Sequence, residues 1–206
     1  MTDSRTTIFN KFNESTSALR PHPGAPIKPT LPNSDLAEQL KHRLQAAHAS
    51  VDIIDSNAEL DQSIFEFLQA HQCPLEVGVH SLTDIDQLAL NDRVQVYRYQ
   101  EISECQTLLS FSPLGIAETG SIVMPSSLER PTLANFLPDN CIFVLKINDI
   151  VAHLEDALLH IQQSDAGMPR ALNIISGPSK TADIEQTLVY GAHGPIQLHL
   201  IIVRDE

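Results

Sequence analysis

Apolar residues recur along this chain with two alternating periods, one typical of helices and one typical of strands. From Ser34 onward, leucines and alanines at helical spacing predict an amphipathic helix whose N-cap is Asn33 or Ser34. The same spacing predicts helices over residues 57–71 and 149–162. Short apolar runs between these helices predict strands at residues 51–54, 75–79, 94–99 and 141–147, with two further runs inside residues 106–124.

The last third of the chain predicts a strand, a tight loop and the start of a helix. The strand covers residues 173–175 and the loop contains Gly177, after which Ser179 or Thr181 is suited to cap a helix. A closing strand over residues 198–203 follows. The apolar face of the predicted helix contains Ile184, Leu188 and Val189.

Helices that alternate with strands predict an α/β fold with a mostly parallel sheet covered on both faces. Ligands of such folds bind at the carboxyl ends of the strands. Two polar loops, 117–120 and 176–181, follow or interrupt strands, and we expect them to meet at such an edge. The helix predicted after the second loop would direct free backbone N–H groups into it, which favours an anion. Asp183 and Glu185 in the first turn could satisfy the helix dipole instead.

Residues 1–33 differ in composition from the rest of the chain. A few apolar residues are followed there by a tract dense in proline, in which regular structure cannot form. We therefore expect an extended arm or surface strap over residues 1–33 and one domain over residues 34–206.

The chain is acidic, with 26 Asp and Glu residues against 13 Lys and Arg residues and a formal net charge of −13. This balance argues against binding of nucleic acid or of an anionic membrane surface. An anionic ligand would need local donors. The apolar runs are also much shorter than the roughly 20 residues needed for membrane insertion.

The three cysteines are far apart and form no Cys-x-x-Cys pair, so we expect no iron–sulfur centre in this chain. The sequence contains no pattern for a metal, dinucleotide or nucleoside triphosphate site. His153 and His160 lie in a predicted helix and are expected on its solvated side. Sparse cysteines and an N-terminus without an apolar core indicate a cytoplasmic protein.

Glu118 is the first candidate for a catalytic residue. It lies between small residues in the loop 117–120, where packing gives no reason for a charge. A carboxylate in such a loop can act as a nucleophile or as a general base. Alternatively, Glu118 pairs with Lys180 or Arg130, or accepts hydrogen bonds from the loop.

Both polar loops contain candidate ligand-binding residues. The first offers hydroxyl donors and a glycine that permits close approach of the backbone, at Thr119, Gly120 and Ser121. The second offers an anion cradle, formed by Ser176, Gly177, Ser179, Lys180 and Thr181. His193, in the turn before the last strand, could bind substrate or titrate near neutrality. The alternative for all of them is an ordinary turn or a solvated charge.

Three motifs give the chain a family resemblance. They are residues 115–123 (Gly-Ile-Ala-Glu-Thr-Gly-Ser-Ile-Val), residues 175–186 (Ile-Ser-Gly-Pro-Ser-Lys-Thr-Ala-Asp-Ile-Glu-Gln) and the Gly191-x-His193-Gly194-Pro195 turn. On these residues the chain resembles the LutC/YkgG family of lactate-utilization proteins, which share the LUD domain. The resemblance covers the C-terminal half, while residues 36–110 agree only in pattern.

The resemblance implies a NagB/RpiA/CoA-transferase-like, three-layer α/β fold and participation in the oxidation of L-lactate to pyruvate. It implies two partners, a cysteine-rich iron–sulfur protein and a second protein that combines a LUD domain with ferredoxin-like clusters. The chain itself would carry no redox cofactor and would bind a small anionic metabolite. CoA transferases and their relatives place a glutamate in a loop comparable to that of Glu118.

Two other functions stay open at this point. One is a stand-alone enzyme of the CoA-transferase or isomerase type that uses Glu118 on a small carboxylate, a thioester or a sugar phosphate. The other is a metabolite-binding scaffold module whose proline-rich arm binds a partner.

Overall fold

The computed structural model of the protein describes residues 28–79, 93–98, 106–182, 188–190 and 194–204, together with positions 6 and 11. Within these ranges the α-helices are α1 (Leu36–Ala46), α2 (Leu60–Ala70) and α3 (Leu154–Gln163). Most of the predicted arm, 1–33, lies outside the described residues, and its separation from a domain at 34–206 stays a prediction.

The described strands are short and alternate with these helices. In chain order they are β1 (Ser50–Ile54), β2 (Glu76–Val79), β3 (Gln95–Arg98), β4 (Thr107–Phe111), β5 (Leu114–Ile116), β6 (Ser121–Pro125), β7 (Asn140–Lys146), β8 (Ile150–Val151), β9 (Leu172–Ile175), β10 (Lys180–Ala182), β11 (Leu188–Tyr190) and β12 (Gln197–Val203).

Six of these strands form a parallel sheet in the order β1-β12-β7-β4-β2-β3. A four-stranded mixed sheet has the order β8-β5-β6-β9, and β10 pairs with β11 as an antiparallel hairpin. The parallel sheet with helices on both faces confirms the predicted α/β class. The separate four-stranded sheet was not anticipated from the sequence.

Both faces of the six-stranded sheet are covered. Helix α2 covers one face, where Leu60 and Ile64 are fully buried. Helix α1 and the four-stranded sheet cover the other face and form a second core around Phe143. Helix α3 covers the outer face of the four-stranded sheet through Ala157 and Ile161. Each large apolar side chain buried in these cores contributes about 1.5–3 kcal/mol.

Two helix starts differ from the sequence expectations. The N-cap of α1 is Asp35, whose carboxylate accepts hydrogen bonds from the backbone of Ala37 at 3.0 Å and Glu38 at 3.2 Å, so the expectation of Asn33 or Ser34 was wrong. The helix predicted from residue 149 begins only at Leu154. The β-branched residues before it instead form β8, which pairs with β5 as an edge strand.

The helix predicted after residue 179 is wrong where the structure describes this segment, while Asp183, Ile184 and Glu185 lie outside the described residues. Lys180–Ala182 and Leu188–Tyr190 are strands of a hairpin. Thr181, Val189 and Tyr190 have residue types that favour strands over helices. The backbone N–H of Ser179, expected at a helix cap, donates to the carbonyl of Pro195 at 2.8 Å.

A polar cluster interrupts the apolar core beside α2. His199 on β12 is 2% exposed, and its Nδ1 lies 2.8 Å from Ser50 Oγ. Its Nε2 lies 3.3 Å from Ser63 Oγ and 3.6 Å from Asp52 Oδ2. Phe67 stacks on the imidazole, with 4.8 Å between ring centroids. Burial lowers the pKa of His199 to about 4, although the Asp52 carboxylate acts in the opposite direction.

This cluster predicts that acid destabilises the fold. The folded state keeps His199 neutral, while the unfolded chain takes up a proton near the ordinary histidine pKa of 6.5. The unfolding free energy therefore has its full value with respect to His199 above pH 6.5 and decreases as the pH falls toward 4, because the unfolded chain then binds a proton that the folded state excludes. We expect urea unfolding to show a loss of about 2–3 kcal/mol over that interval.

Two variants isolate the contribution of His199. His199→Gln should flatten the decrease in unfolding free energy between pH 6.5 and pH 4, whereas His160→Gln, at an exposed position, should leave it unchanged. The same decrease in both variants would contradict the assignment to His199.

Candidate functional site

The two polar loops singled out from the sequence meet at one end of the four-stranded sheet. Strand β5 ends at Ile116 and leads into the loop 117–120, and β9 ends at Ile175 and leads into Ser176. Strand β6 lies between β5 and β9 and is antiparallel to both. Its first residue, Ser121, therefore lies beside both loops.

Three hydroxyl groups join the loops in a row. Thr119 Oγ1 lies 2.6 Å from Ser121 Oγ, which lies 2.7 Å from Ser176 Oγ. Ser121 is fully buried, whereas Thr119 and Ser176 are exposed at the two ends of the row. Because each hydroxyl can donate one hydrogen bond and accept others, the exposed ends have capacity left for a ligand.

Glycines allow both loops to contact the last turn of helix α1. Gly120 has a φ of +68°, and a Cβ built on it would lie 2.3 Å from the Cβ of Arg43. Gly177 has a φ of +137°, and its Cβ would lie 2.9 Å from the Cβ of Ala47. Only glycine combines this backbone conformation with such close approach. The end of α1 therefore fixes the position of both loops.

Glu118 is paired with His153. The distance between Glu118 Oε2 and His153 Nδ1 is 2.9 Å. Since a carboxylate only accepts hydrogen bonds, Nδ1 carries the hydrogen and donates it to Glu118, which leaves Nε2 as the second functional nitrogen. The side chain of His153 is 11% exposed and that of Glu118 is 28% exposed. Both groups thus lie at the boundary between the interior and solvent.

The pair follows from the register of the parallel strands β5 and β8. Ile116 pairs with Val151, and two residues later the backbone N–H of Glu118 donates to the carbonyl of Ala152 at 3.0 Å. His153 follows Ala152 directly. Glu118 and His153 consequently leave the ends of two paired strands side by side.

His153 was missed because its segment was assigned to a helix. The expectation that its side chain is solvated is wrong, since His153 is buried at the N-cap position of α3, while His160 is exposed as expected. The sequence does contain a sign that residues 150–153 form a strand end rather than a helix. Residues 150–153 (Ile-Val-Ala-His) have the same small and β-branched character as the end of β5 and its loop, Gly-Ile-Ala-Glu.

A pocket of about 200 Å³ adjoins the second loop. Ser176, Ser179 and two glycines give it polar groups, and the apolar part of its lining consists of Phe136, Ile174, Ile175 and Pro195. Ser176 also ends the hydroxyl row. The row therefore connects this pocket to the loop that carries Glu118.

The pocket lies at the amino edge of the six-stranded sheet. Phe136 precedes β7, and Gly194 and Pro195 precede β12. The backbone N–H of Ile196 donates to the carbonyl of Asp139 at 2.7 Å, which ties the two approaches together. The two loops are thus at the carboxyl ends of β5 and β9, but at the opposite edge of the larger sheet from the one expected.

The remaining predicted site residues do not lie in the positions expected from the sequence or are not described. Lys180 begins β10 and is exposed, opposite Tyr190 in the hairpin register. Thr181 follows it in the same strand, so neither residue lies at a helix N-terminus. His193 lies outside the described residues. The ligand-binding roles of all these residues stay predictions.

Comparison with models of known protein families shows to which family the chain belongs. The family model of the LUD domain matches residues 37–203. The chain belongs to the LUD domain family. This confirms the resemblance found on the three motifs, two of which form the loops described above.

Several relatives of this chain are named lactate utilization protein C, and others are named uncharacterized proteins. Lactate utilization protein C of Shouchella clausii is 33% identical over 64% of this chain and 58% of that protein. The uncharacterized protein YkgG of Escherichia coli is 39% identical over 46% of this chain and 42% of that protein. The chain spans about half the length of the curated relatives it matches.

A solved structure supports the fold. The crystal structure of a DUF162 family protein from Deinococcus radiodurans has a TM-score of 0.60 to this chain at 22% identity, covering 82% of this chain and 97% of that one. At that identity the likeness concerns the fold alone. Among the described residues, none of the helices is long and apolar enough to span a membrane.

The contact of the first loop with α1 predicts a large effect of a single methyl group. Gly120→Ala should lower the unfolding free energy by about 2–4 kcal/mol, because it adds a clash with Arg43 to the cost of a left-handed backbone. Gly167→Ala is a matched control, since Gly167 has a φ of +62° and no atom within 4 Å of a built Cβ. It should cost about 1–2 kcal/mol. Equal losses in urea unfolding would contradict the close contact at Gly120.

Proposed function

We propose that this chain is a lactate-utilization subunit that takes part in the oxidation of L-lactate to pyruvate, with Glu118 and His153 handling the hydroxyl proton of the substrate. The observation that carries the proposal is the 2.9 Å contact between Glu118 Oε2 and His153 Nδ1. The names of its LUD family relatives, among them Lactate utilization protein C of Shouchella clausii, support the choice of substrate.

The geometry of the pair suits a general base. Glu118 accepts the Nδ1 hydrogen of His153, so the lone pair of the neutral imidazole is on Nε2. Nε2 can then accept a proton from a substrate hydroxyl, while the nearby carboxylate stabilises the resulting imidazolium. In this scheme His153 is the base, and Glu118 orients it and compensates its charge.

The oxidation must also release electrons. Conversion of lactate to pyruvate removes two protons and two electrons, and we assign to this chain only the proton that leaves the hydroxyl oxygen. An oxidant must take up the hydrogen on carbon and both electrons, and the iron–sulfur partner proteins implied by the family resemblance would supply that chemistry.

The pocket beside the second loop suits a small carboxylate, and the hydroxyl row joins it to the loop that carries Glu118. The hydroxyl of Ser176 and the backbone around Gly177 supply hydrogen-bonding groups for a carboxylate. Phe136 and Ile174 offer an apolar wall to a methyl group. A volume of about 200 Å³ suits a substrate of few atoms rather than a nucleotide.

Substitutions at the pair distinguish the base from a nucleophile. If His153 is the base, we expect His153→Gln to lower lactate oxidation about 10²–10⁴-fold, because general base catalysis is lost. Glu118→Gln should lower the rate up to about 10⁴-fold, because an amide no longer fixes the tautomer of the base or compensates its charge. The measurement is growth on L-lactate of a strain that lacks the gene and carries each variant, with lactate-dependent dye reduction by the assembled proteins as the quantitative readout.

His160→Gln is the matched control, because it removes an exposed imidazole from helix α3. It should grow like the unmodified chain. If Glu118→Gln abolished turnover while His153→Gln retained it, Glu118 would be a nucleophile and the transferase alternative would replace this proposal. Normal growth of the deletion strain on L-lactate would contradict the lactate assignment itself.

A further inference from the structure

A second pocket lies at the carboxyl edge of the six-stranded sheet. It has a volume of about 200 Å³ and is reached from the ends of β4 and β7, where Phe111 and Val144 line it. Its charged lining residues are Arg130, Lys146 and Asp149. In open parallel α/β sheets this is the edge at which ligands bind.

This pocket is separate from the Glu118–His153 pair. Pro113 precedes β5 and Asp149 precedes β8, and both residues line the pocket. Glu118 and His153 follow the same two strands. Since β5 and β8 are parallel, the pocket and the pair lie at opposite ends of these strands.

The lining of the pocket has an excess of one positive charge. Arg130 and Lys146 contribute two cations and Asp149 one carboxylate, in a chain whose formal net charge is −13. Burial raises the pKa of Asp149, and the positive charges of Lys146 and His160 act against this shift. The net charge of the lining therefore balances a ligand with one negative charge. A dianion would exceed it and would be repelled more strongly by the Asp149 carboxylate.

Apart from Ser112, the uncharged lining residues of the pocket are apolar, and hydrogen bonds fix the position of Ser112. Phe111, Pro113 and Val144 form its walls. Between them Ser112 is buried, with its hydroxyl 2.9 Å from the carbonyl of Leu114 and its backbone N–H donating to Val144 at 2.8 Å. Its volume corresponds to about seven water molecules in the liquid. A charged head and a short apolar tail fit such a site.

We infer that this pocket is a second ligand site, which binds a short-chain aliphatic monocarboxylate with its carboxylate at Lys146 and Arg130 and its alkyl group against Phe111, Pro113 and Val144. Asp149 sets the preference for a single negative charge. The site is independent of the proposed proton transfer at His153.

The test is a titration of the full chain with sodium propionate, followed by backbone amide NMR at pH 8 and constant ionic strength. We expect saturable shifts at residues 111, 112 and 146–149, whether or not residues 176–179 shift as well. Lys146→Met should weaken binding about tenfold, because a charge-assisted hydrogen bond is lost. Lys146 is exposed, so this substitution is tolerated by the fold.

A second variant is expected to increase the affinity for propionate. Asp149→Asn removes the carboxylate that opposes the ligand and should tighten propionate binding about threefold. It should also admit inorganic phosphate, which should bind the unmodified chain at least tenfold more weakly than propionate. Lys41→Met removes the same charge from helix α1 and should leave both affinities unchanged. A merely structural role of the pocket residues would not produce a gain in affinity.

Several outcomes would overturn the inference. They are shifts confined to residues 176–179, tighter binding of phosphate than of propionate to the unmodified chain, or no saturable shift below roughly 50 mM, an affinity weaker than about −2 kcal/mol. None of these results bears on growth on L-lactate, so the failure of this inference and the failure of the proposed function are distinguishable.

Discussion

The parallel pairing of two short strands, β5 and β8, positions both the Glu118–His153 pair and the second pocket. The backbone hydrogen bonds of this pairing continue past the strands to Glu118 and Ala152, so the residues after both strands stay in register. The carboxylate of Glu118 and the imidazole of His153 are brought together in this way, although they are 35 positions apart in sequence. At the other end, Pro113 and Asp149, which precede the same strands, line the second pocket.

The glycine contacts complete this arrangement. Gly120 and Gly177 let two loops lie against the last turn of α1, at the amino edge of the larger sheet. Ser121 then joins the loops through its hydroxyl. A site built in this way depends on backbone packing, so its polar groups are held in place before any ligand arrives. Such preorganisation is what a proton-transfer site requires.

The fold class and most strands follow from hydrophobic periodicity, because the large sheet buries continuous apolar runs such as those of β7 and β12. The sequence also indicated the two loops and Glu118. His153 was overlooked, because Ile150 and Val151 also extend the helical pattern of the residues after them, and this outweighed their likeness to the end of β5. The pairing of β10 with β11 was missed for a related reason. Strands of three residues carry too little periodicity to be separated from a helix turn.

The most direct test of the account is the protonation pattern of His153, measured by long-range proton–nitrogen NMR of the imidazole at pH 8. We expect a hydrogen on Nδ1 and none on Nε2, with the preference for this tautomer lost in Glu118→Ala, which removes the acceptor. A hydrogen on Nε2, or a spectrum unchanged by Glu118→Ala, would show that the two side chains do not act as a pair and would contradict the assignment of His153 as the base.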